Sequence, residues 1–463
     1  MRFVLYGLLL FARIGFAAPL GEEGARHLLN RSGFGASPQE VTMFARLERA
    51  MAVDQLLAQA QSVAMTPPPG WVNEPLSRRG EAMTEEEKVM RLEEQKQRGF
   101  ELRGWWLAEM ASTASPLTER MTLFWHNHFT SSMQKVKHGQ LMYRQNLLLR
   151  QHALGSFSDL LHGAAKDPAM LIYLDGVRNL KGEPNENFSR EVMELFTLGE
   201  GRYTENDIRE AARAFTGWGV DRDSGEFRFR RNQHDDGSKT ILGQTGNFDG
   251  DDVLDLLLGR PETADFITRK LWREFVSPVA DEREVRRLAT VFRSNRYQIK
   301  PLLQGLFMSE AFWAGANRGS LVKSPIELTV GTLRTFELRP PDWRPVIQVN
   351  RAMGQDLFNP PNVKGWPGGD AWINSQTLLL RKQTLLRPFV GPPMRGDAEA
   401  DSRRFENRRA RMELHLSRWL DQLGNDMVRA TRLLLPLPAD SLPVGTASDR
   451  ISALLQHPYY QLK

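Results

Sequence analysis

Three short stretches of the chain hold the side chains best suited to chemistry. His126-Asn127-His128 closes a helical pattern rich in aromatics, Arg190, Glu191 and Glu194 lie on a second helical pattern, and His234 and Asp235 sit in a turn-rich segment. A histidine can take up or release a proton near neutral pH. Two carboxylates three residues apart on a helix can share a cation. An arginine can grip a carboxylate or an anionic substrate through its planar fork. If the three stretches converge, His128, Arg190, Glu191 and His234 form a catalytic set. His126, His128, Glu191, Glu194, His234 and Asp235 then form a nitrogen and oxygen ligand set that suits a divalent Zn, Mn or Fe ion.

Each stretch also has a purely structural reading. At about 100° per residue, the imidazoles of His126 and His128 point about 200° apart on a regular helix. One is expected to face inward and one outward, with Phe124, Trp125 and Phe129 packing the helix end. In the second stretch Phe188, Val192, Leu195 and Phe196 share one apolar face, and Asn187, Glu191 and Glu194 form the polar stripe beside it. Glu191 borders the apolar face and would need a partner if buried, for which Arg120, Lys166, Arg213 or a histidine are available. Arg190 and Glu194 have the spacing of an ordinary surface ion pair. Asp236-Gly237 is a common turn dipeptide, and Asp249, Asp251 and Asp252 read as helix caps because no glutamate stands at the twelfth position of a calcium loop.

The elements that must position these residues are mostly helical. Helical spacing is expected over residues 22–30 and 38–61, with Ser37 capping and Pro38 at the first position. A solvated charged helix is expected within 78–98, and further helices over 118–129, 262–276, 282–294, 298–309, 324–338 and 398–434. Thr204 with Asp207 predicts a capping box for a helix ending near Gly217. The β-signal is confined to Phe227 to Phe229, which alternate with arginines, and Thr240 to Leu242, expected to return against them across Asp236-Gly237. Residues 356–370, rich in proline and glycine, predict an ordered loop packed by Trp366 and Trp372.

Composition sets the outer limits. The 463 residues are 41% hydrophobic and 25% charged, with a net charge of +5 and no cysteine. This is ordinary globular usage, and it excludes a thiol nucleophile, a Cys-ligated zinc or iron–sulfur site and a disulfide scaffold. Phosphate-loop and nucleophile-elbow patterns are absent. Residues 1–17 read as a secretory signal, with Arg2 before an apolar run and Gly15 and Ala17 at the cleavage positions. That implies a periplasmic or secreted protein, and no later stretch is apolar enough to span a membrane. The cluster Arg403, Arg404, Arg408, Arg409 and Arg411 is interspersed with Glu406 and Glu413. It reads as a solvated helix face, and no nucleic-acid partner is expected.

The segments LLNRSGFGASP (29–38), ERMTLFWHNHFTSS (119–132), KDPAMLIYLDG (166–176), NENFSREVMELFTLGEGRYTENDIREAARAFTGW (185–218), HDDGSKTILGQTGNFDGDDVLDLLL (234–258), KLWREFV (270–276), FNPPNVKGWPGG (358–369) and HPYYQLK (457–463) carry a resemblance to one family. The chain resembles the bacterial "domain of unknown function 1800". The resemblance implies a largely helical protein and names no activity. The fold expected is mainly α, a multi-helix orthogonal array with one small β-hairpin and long ordered Pro/Gly loops. It follows a signal over 1–17 as a single domain over 18–463, with a charged insertion at 62–100 and a C-terminal helical part at 340–463 packed on the core. Two functions remain open: an exported metal-dependent or carboxylate/imidazole enzyme of the cell envelope, or a non-catalytic helical scaffold that binds an envelope protein partner.

Overall fold

Hydrophobic periodicity organises the chain into helices that bury two adjoining apolar cores. In the computed structural model, residues 18–76, 84–221, 223–390 and 398–463 are described. The proposed signal at 1–17 lies outside them, as do the side chains of Arg403, Arg404, Arg408 and Arg409. The larger core gathers Trp125, Phe129, Phe157, Phe188, Phe196 and Trp272 with many aliphatic residues. The smaller core is built on Trp105, Trp106, Val136, Phe358 and Trp366. Among the described residues no helix is long and apolar enough to cross a membrane.

The expected mainly helical fold is the one observed, with local differences that have physical causes. The 38–61 pattern forms two helices, Pro38–Ala45 and Arg49–Ala58. The break at 46–48 lets the Leu20 amide donate to the Leu47 carbonyl at 2.9 Å and lets Pro19 bridge to Glu48. Ser37 and Glu40 close the expected cap as a reciprocal box. The charged segment enters a helix, Glu85–Ser112, whose first half is exposed. Its second half carries Leu102, Trp105 and Trp106 into the smaller core.

The strand pairing differs from the hairpin expected. Phe227–Phe229 pairs with Trp218–Val220, and Lys239–Ile241 pairs with Gln244–Gly246, both antiparallel. Two shorter local connections, six and two residues long, win over the longer one. Asp221 accepts backbone hydrogen bonds from Asp223 and Ser224 to close the first turn. Leu242 and Gly243, with φ of 51° and 81°, form the second. Two consecutive left-handed residues match the twist of a two-residue hairpin.

The helix Pro116–His128 runs between the two cores. Leu117, Met121, Phe124 and Trp125 enter the larger one, while Leu123 enters the smaller. Its flank is tied to neighbours by Glu119, fully buried, which accepts from Arg150 Nε at 2.6 Å and Trp106 Nε1 at 2.8 Å. This position between two cores determines what the histidines at its end can do.

Candidate functional site

Both histidines of the His126-Asn127-His128 string are buried, which corrects the expectation that one faces outward. The opposite faces of the helix each meet a core, so neither side is left to solvent. His126 sits among the rings of Trp106, Phe358 and Trp366, and its Nε2 accepts from the Phe358 amide at 3.2 Å. Burial pushes its pKa down to about 3. Its hydrogen bond to the Phe358 amide and its contact with Trp366 tie it to the 356–370 loop.

His128 turns the other way, toward a cleft of about 510 Å³. Its Nε2 lies 3.2 Å from the Phe196 carbonyl, which can only accept, so Nε2 carries the proton. Nδ1 is left with a lone pair and accepts from Lys270 Nζ at 2.8 Å. Burial first, and then the neighbouring Lys270 charge, hold the imidazole neutral, well below its ordinary pKa.

The cleft walls are strongly basic. Arg120, Lys270, Arg273, Lys364 and Lys463 line it, against the carboxylates Glu274 and Glu327. Arg120 is the central cation, with Nη2 2.5 Å from Glu274 and Nη1 paired with Glu327. Burial opposes its charge, but the two carboxylates outweigh burial and hold its pKa above the usual value. Lys463 also pairs with Glu327. Burial acts to raise Glu327, yet Arg120 and Lys463 hold it down at about 2. Lys270 and Lys463 are each lowered to about 8, chiefly by burial. Trp366 lines the same cleft, and its indole N–H is buried with no acceptor among the described residues. An unmet donor of that kind costs about 1–3 kcal/mol. The Nε of Arg120 is likewise without a partner.

The loop that brings Trp366 and Lys364 to the cleft is held by Asn127, the residue between the two histidines. Asn127 Oδ1 accepts from the Trp366 amide at 2.6 Å, and Nδ2 donates to the Trp366 carbonyl at 3.4 Å. Gly365 has φ +82°, and a Cβ on it would strike the Asn127 amide. Gly365→Ala is therefore expected to cost about 1–3 kcal/mol and to shift the tryptophan emission as Trp366 leaves its site. Urea titration followed by fluorescence tests this, and an unchanged midpoint and spectrum would refute the clamp.

The other sequence-derived candidates lie elsewhere. Of His126, His128, Arg190, Glu191, Glu194, His234 and Asp235, only His128 lines the cleft. Arg190 pairs with Glu205 at 2.7 Å and with Glu186 at 3.3 Å, not with Glu194. Glu191 is half-buried on the helix Glu186–Glu191, and burial and then Glu194 raise its pKa. None of the partners expected for it serves: Arg120 is taken by Glu274 and Glu327, Lys166 by Asp251, and Arg213 by Asp235 and Glu210. Glu194 lies in the π-helical turn Val192–Thr197 and accepts from the Tyr203 hydroxyl at 2.6 Å. His234 is buried, with Nδ1 2.9 Å from the Thr216 carbonyl and its ring against Phe229. Asp235 accepts from Arg213 Nε at 2.8 Å, and that bond above all holds its pKa down at about 2. Among the described residues no three His, Asp or Glu side chains are placed to hold a metal ion. The metal set built from His126, His128, Glu191, Glu194, His234 and Asp235 does not converge: the three histidines are held by backbone and aromatic partners, Glu194 by the Tyr203 hydroxyl and Asp235 by Arg213.

The residues that the motif reading passed over are Lys270, Arg273, Glu274, Glu327, Lys364 and Lys463. A signal for most of them was present. Lys270, Arg273 and Glu274 stand in KLWREFV, Lys364 in FNPPNVKGWPGG, and Lys463 ends HPYYQLK. Basic residues scattered over more than 340 positions, from Arg120 to Lys463, carry no spacing rule that reveals their meeting.

The chain belongs to the family described as "Protein of unknown function (DUF1800)", whose model matches residues 27–462. No curated protein and no solved structure matches it.

Proposed function

We propose, with membership of this family as the premise, that the protein is an exported enzyme whose active site is the basic cleft. Its ligand is a small molecule bearing a carboxylate or phosphate. The observation that carries the reading is the meeting of Arg120, Lys270, Arg273, Lys364 and Lys463 on one cavity whose Trp366 N–H lacks an acceptor. Arg120 and Lys463 share Glu274 and Glu327, and Lys364 pairs with Glu200 at 3.1 Å, so Lys270 and Arg273 are the cleft cations without a carboxylate ion pair among the described residues; partly enclosed walls strengthen their attraction for an anion. His128 and Lys270, 2.8 Å apart, supply an acid–base pair at the cleft wall. Export rests on the basic and apolar pattern of residues 1–17. Zn, Mn or Fe is not needed for this reading. Arg190, Glu191 and His234 would then act on the structure around the cleft and not on the ligand.

Calorimetry at low salt with inorganic phosphate, citrate and pyruvate tests the anion site. At least one is expected to bind, with affinity falling as salt rises. Arg273→Gln removes an exposed cleft cation with no ion-pair partner among the described residues. It is expected to weaken binding about tenfold, the loss of about 1.4 kcal/mol. No binding by any of the three anions would overturn the enzyme reading and leave the cations as the buried framework of a helical scaffold.

A further inference from the structure

Lys270 occupies an unusual position for a basic residue in this cleft. Its neighbours Arg120 and Lys463 are both locked onto carboxylates. Arg120 takes Glu274 as well as Glu327, so Lys270 makes no carboxylate ion pair among the described residues. Among the described residues its hydrogen bond runs to His128 Nδ1, a neutral nitrogen whose tautomer is set by the Phe196 carbonyl on the far side of the ring. A lysine held by a carboxylate keeps its proton. One that donates to a neutral imidazole in a buried site can give its proton up. Burial points the same way and outweighs the opposing charge of nearby Glu274, bringing its pKa down to about 8.

We propose that Lys270 is a nucleophilic amine that forms an imine with a small carbonyl compound carrying a carboxylate, a 2-oxo acid being the simplest form. The proposal rests on the anion-site reading above. The carboxylate would lie against Arg273, leaving the adjacent carbonyl carbon to face the amine. The nitrogen lone pair bonds to that carbon as the carbon–oxygen π bond opens onto oxygen. His128 Nδ1 accepts the ammonium proton and passes it to the oxygen, giving the neutral carbinolamine. The nitrogen lone pair then expels that oxygen, which leaves as water with the second amine proton, relayed by the same imidazole. Both hydrogens of the amine thus leave with the carbonyl oxygen as one water, and no oxidant or reductant is consumed.

The test is reductive trapping of the full-length protein with pyruvate and sodium cyanoborohydride, read by intact mass and peptide mapping. The expected product is a single adduct on Lys270, with a mass gain equal to pyruvate less one oxygen atom. It should form about tenfold or more faster than on exposed Lys364. Lys270→Met should abolish it while leaving the circular dichroism unchanged. His128→Gln should slow it about tenfold or more without abolishing pyruvate binding. The mapping needs no variant, so a variant that fails to fold leaves the test intact. Pyruvate that binds by calorimetry but labels Lys270 no faster than surface lysines overturns the nucleophile and leaves the anion site standing. Neither binding nor labelling overturns the anion site and, with it, this proposal.

Discussion

Arg120→Met is expected to cost about 3–5 kcal/mol of folding stability, the largest effect of any single change at the cleft. Methionine keeps much of the side-chain volume, so the loss is electrostatic more than steric. Arg120 is buried, and it is the shared partner of Glu274 and of Glu327, itself only 4% exposed. Removing it strands Glu327 with Lys463 and its own helix cap, where Ser324 N donates at 2.7 Å. A carboxylate left in a dry site keeps its desolvation cost and loses most of the attraction that offset it. A whole domain is stable by about 5–15 kcal/mol, so the variant should lie near the edge of folding. Urea titration measures the loss. The double variant Arg120→Met with Glu327→Gln should lose clearly less than the two single losses added together, because the second change removes the stranded charge. A single-variant cost below about 1 kcal/mol would mean that water reaches the pair and screens it.

The second large effect is acid sensitivity beginning near pH 6.5. His27 and His126 have folded pKa values of about 3, set by burial, and His128 lies well below its ordinary value for the same reason. In the unfolded chain each titrates near 6.5. Below that pH the unfolded state binds protons that the folded state refuses, so their contribution is complete above about pH 6.5 and is lost as pH falls. Each such histidine gives a slope of about 1.4 kcal/mol per pH unit. Asp167 acts in the opposite sense: burial raises its folded pKa to about 7, and the folded state binds its proton first as pH drops. Three histidines against one aspartate leave a net slope of about 2.7 kcal/mol per unit between pH 4.5 and 6. Urea midpoints at pH 7, 6 and 5 should fall in step. His126→Asn should remove about half of the net slope, and flat midpoints over that range would contradict the buried neutral histidines.

These expectations separate what local sequence settles from what it cannot. Ser37, Thr204 and Asp249 cap helices where their spacing to Glu40, Asp207 and Asp252 says they should, because a cap is made within four residues. The apolar stripe of Phe188, Val192 and Phe196 does enter the core. The 356–370 segment is an ordered loop pinned by Trp366 and Trp372, both buried. The strand pairing was less legible. The Asp221 turn and the Leu242-Gly243 turn each offer a short closure, and only their competition with the longer Asp236-Gly237 connection decides the register.

The candidate site was legible in residue type and not in assembly. His128 was marked by its string, but the same string gave no sign that both of its faces would be covered. A helix that meets one core leaves a polar side, whereas the helix Pro116–His128 meets two. Arg190, Glu191, His234 and Asp235 looked equally able to do chemistry; neighbours took up Arg190, His234 and Asp235 instead, and Glu191 does not line the cleft.

The helical class, the caps and turns, the absence of thiol chemistry and the family can be read from the amino-acid order. Each of these depends on composition or on contacts a few residues apart. The meeting of Arg120, Lys270, Arg273, Lys364 and Lys463 on one cleft, and the hydrogen bond of Lys270 to His128, come from the packing of distant elements. Their charges are spread over most of the chain, and Coulomb energy depends on distance in space, which no linear spacing encodes.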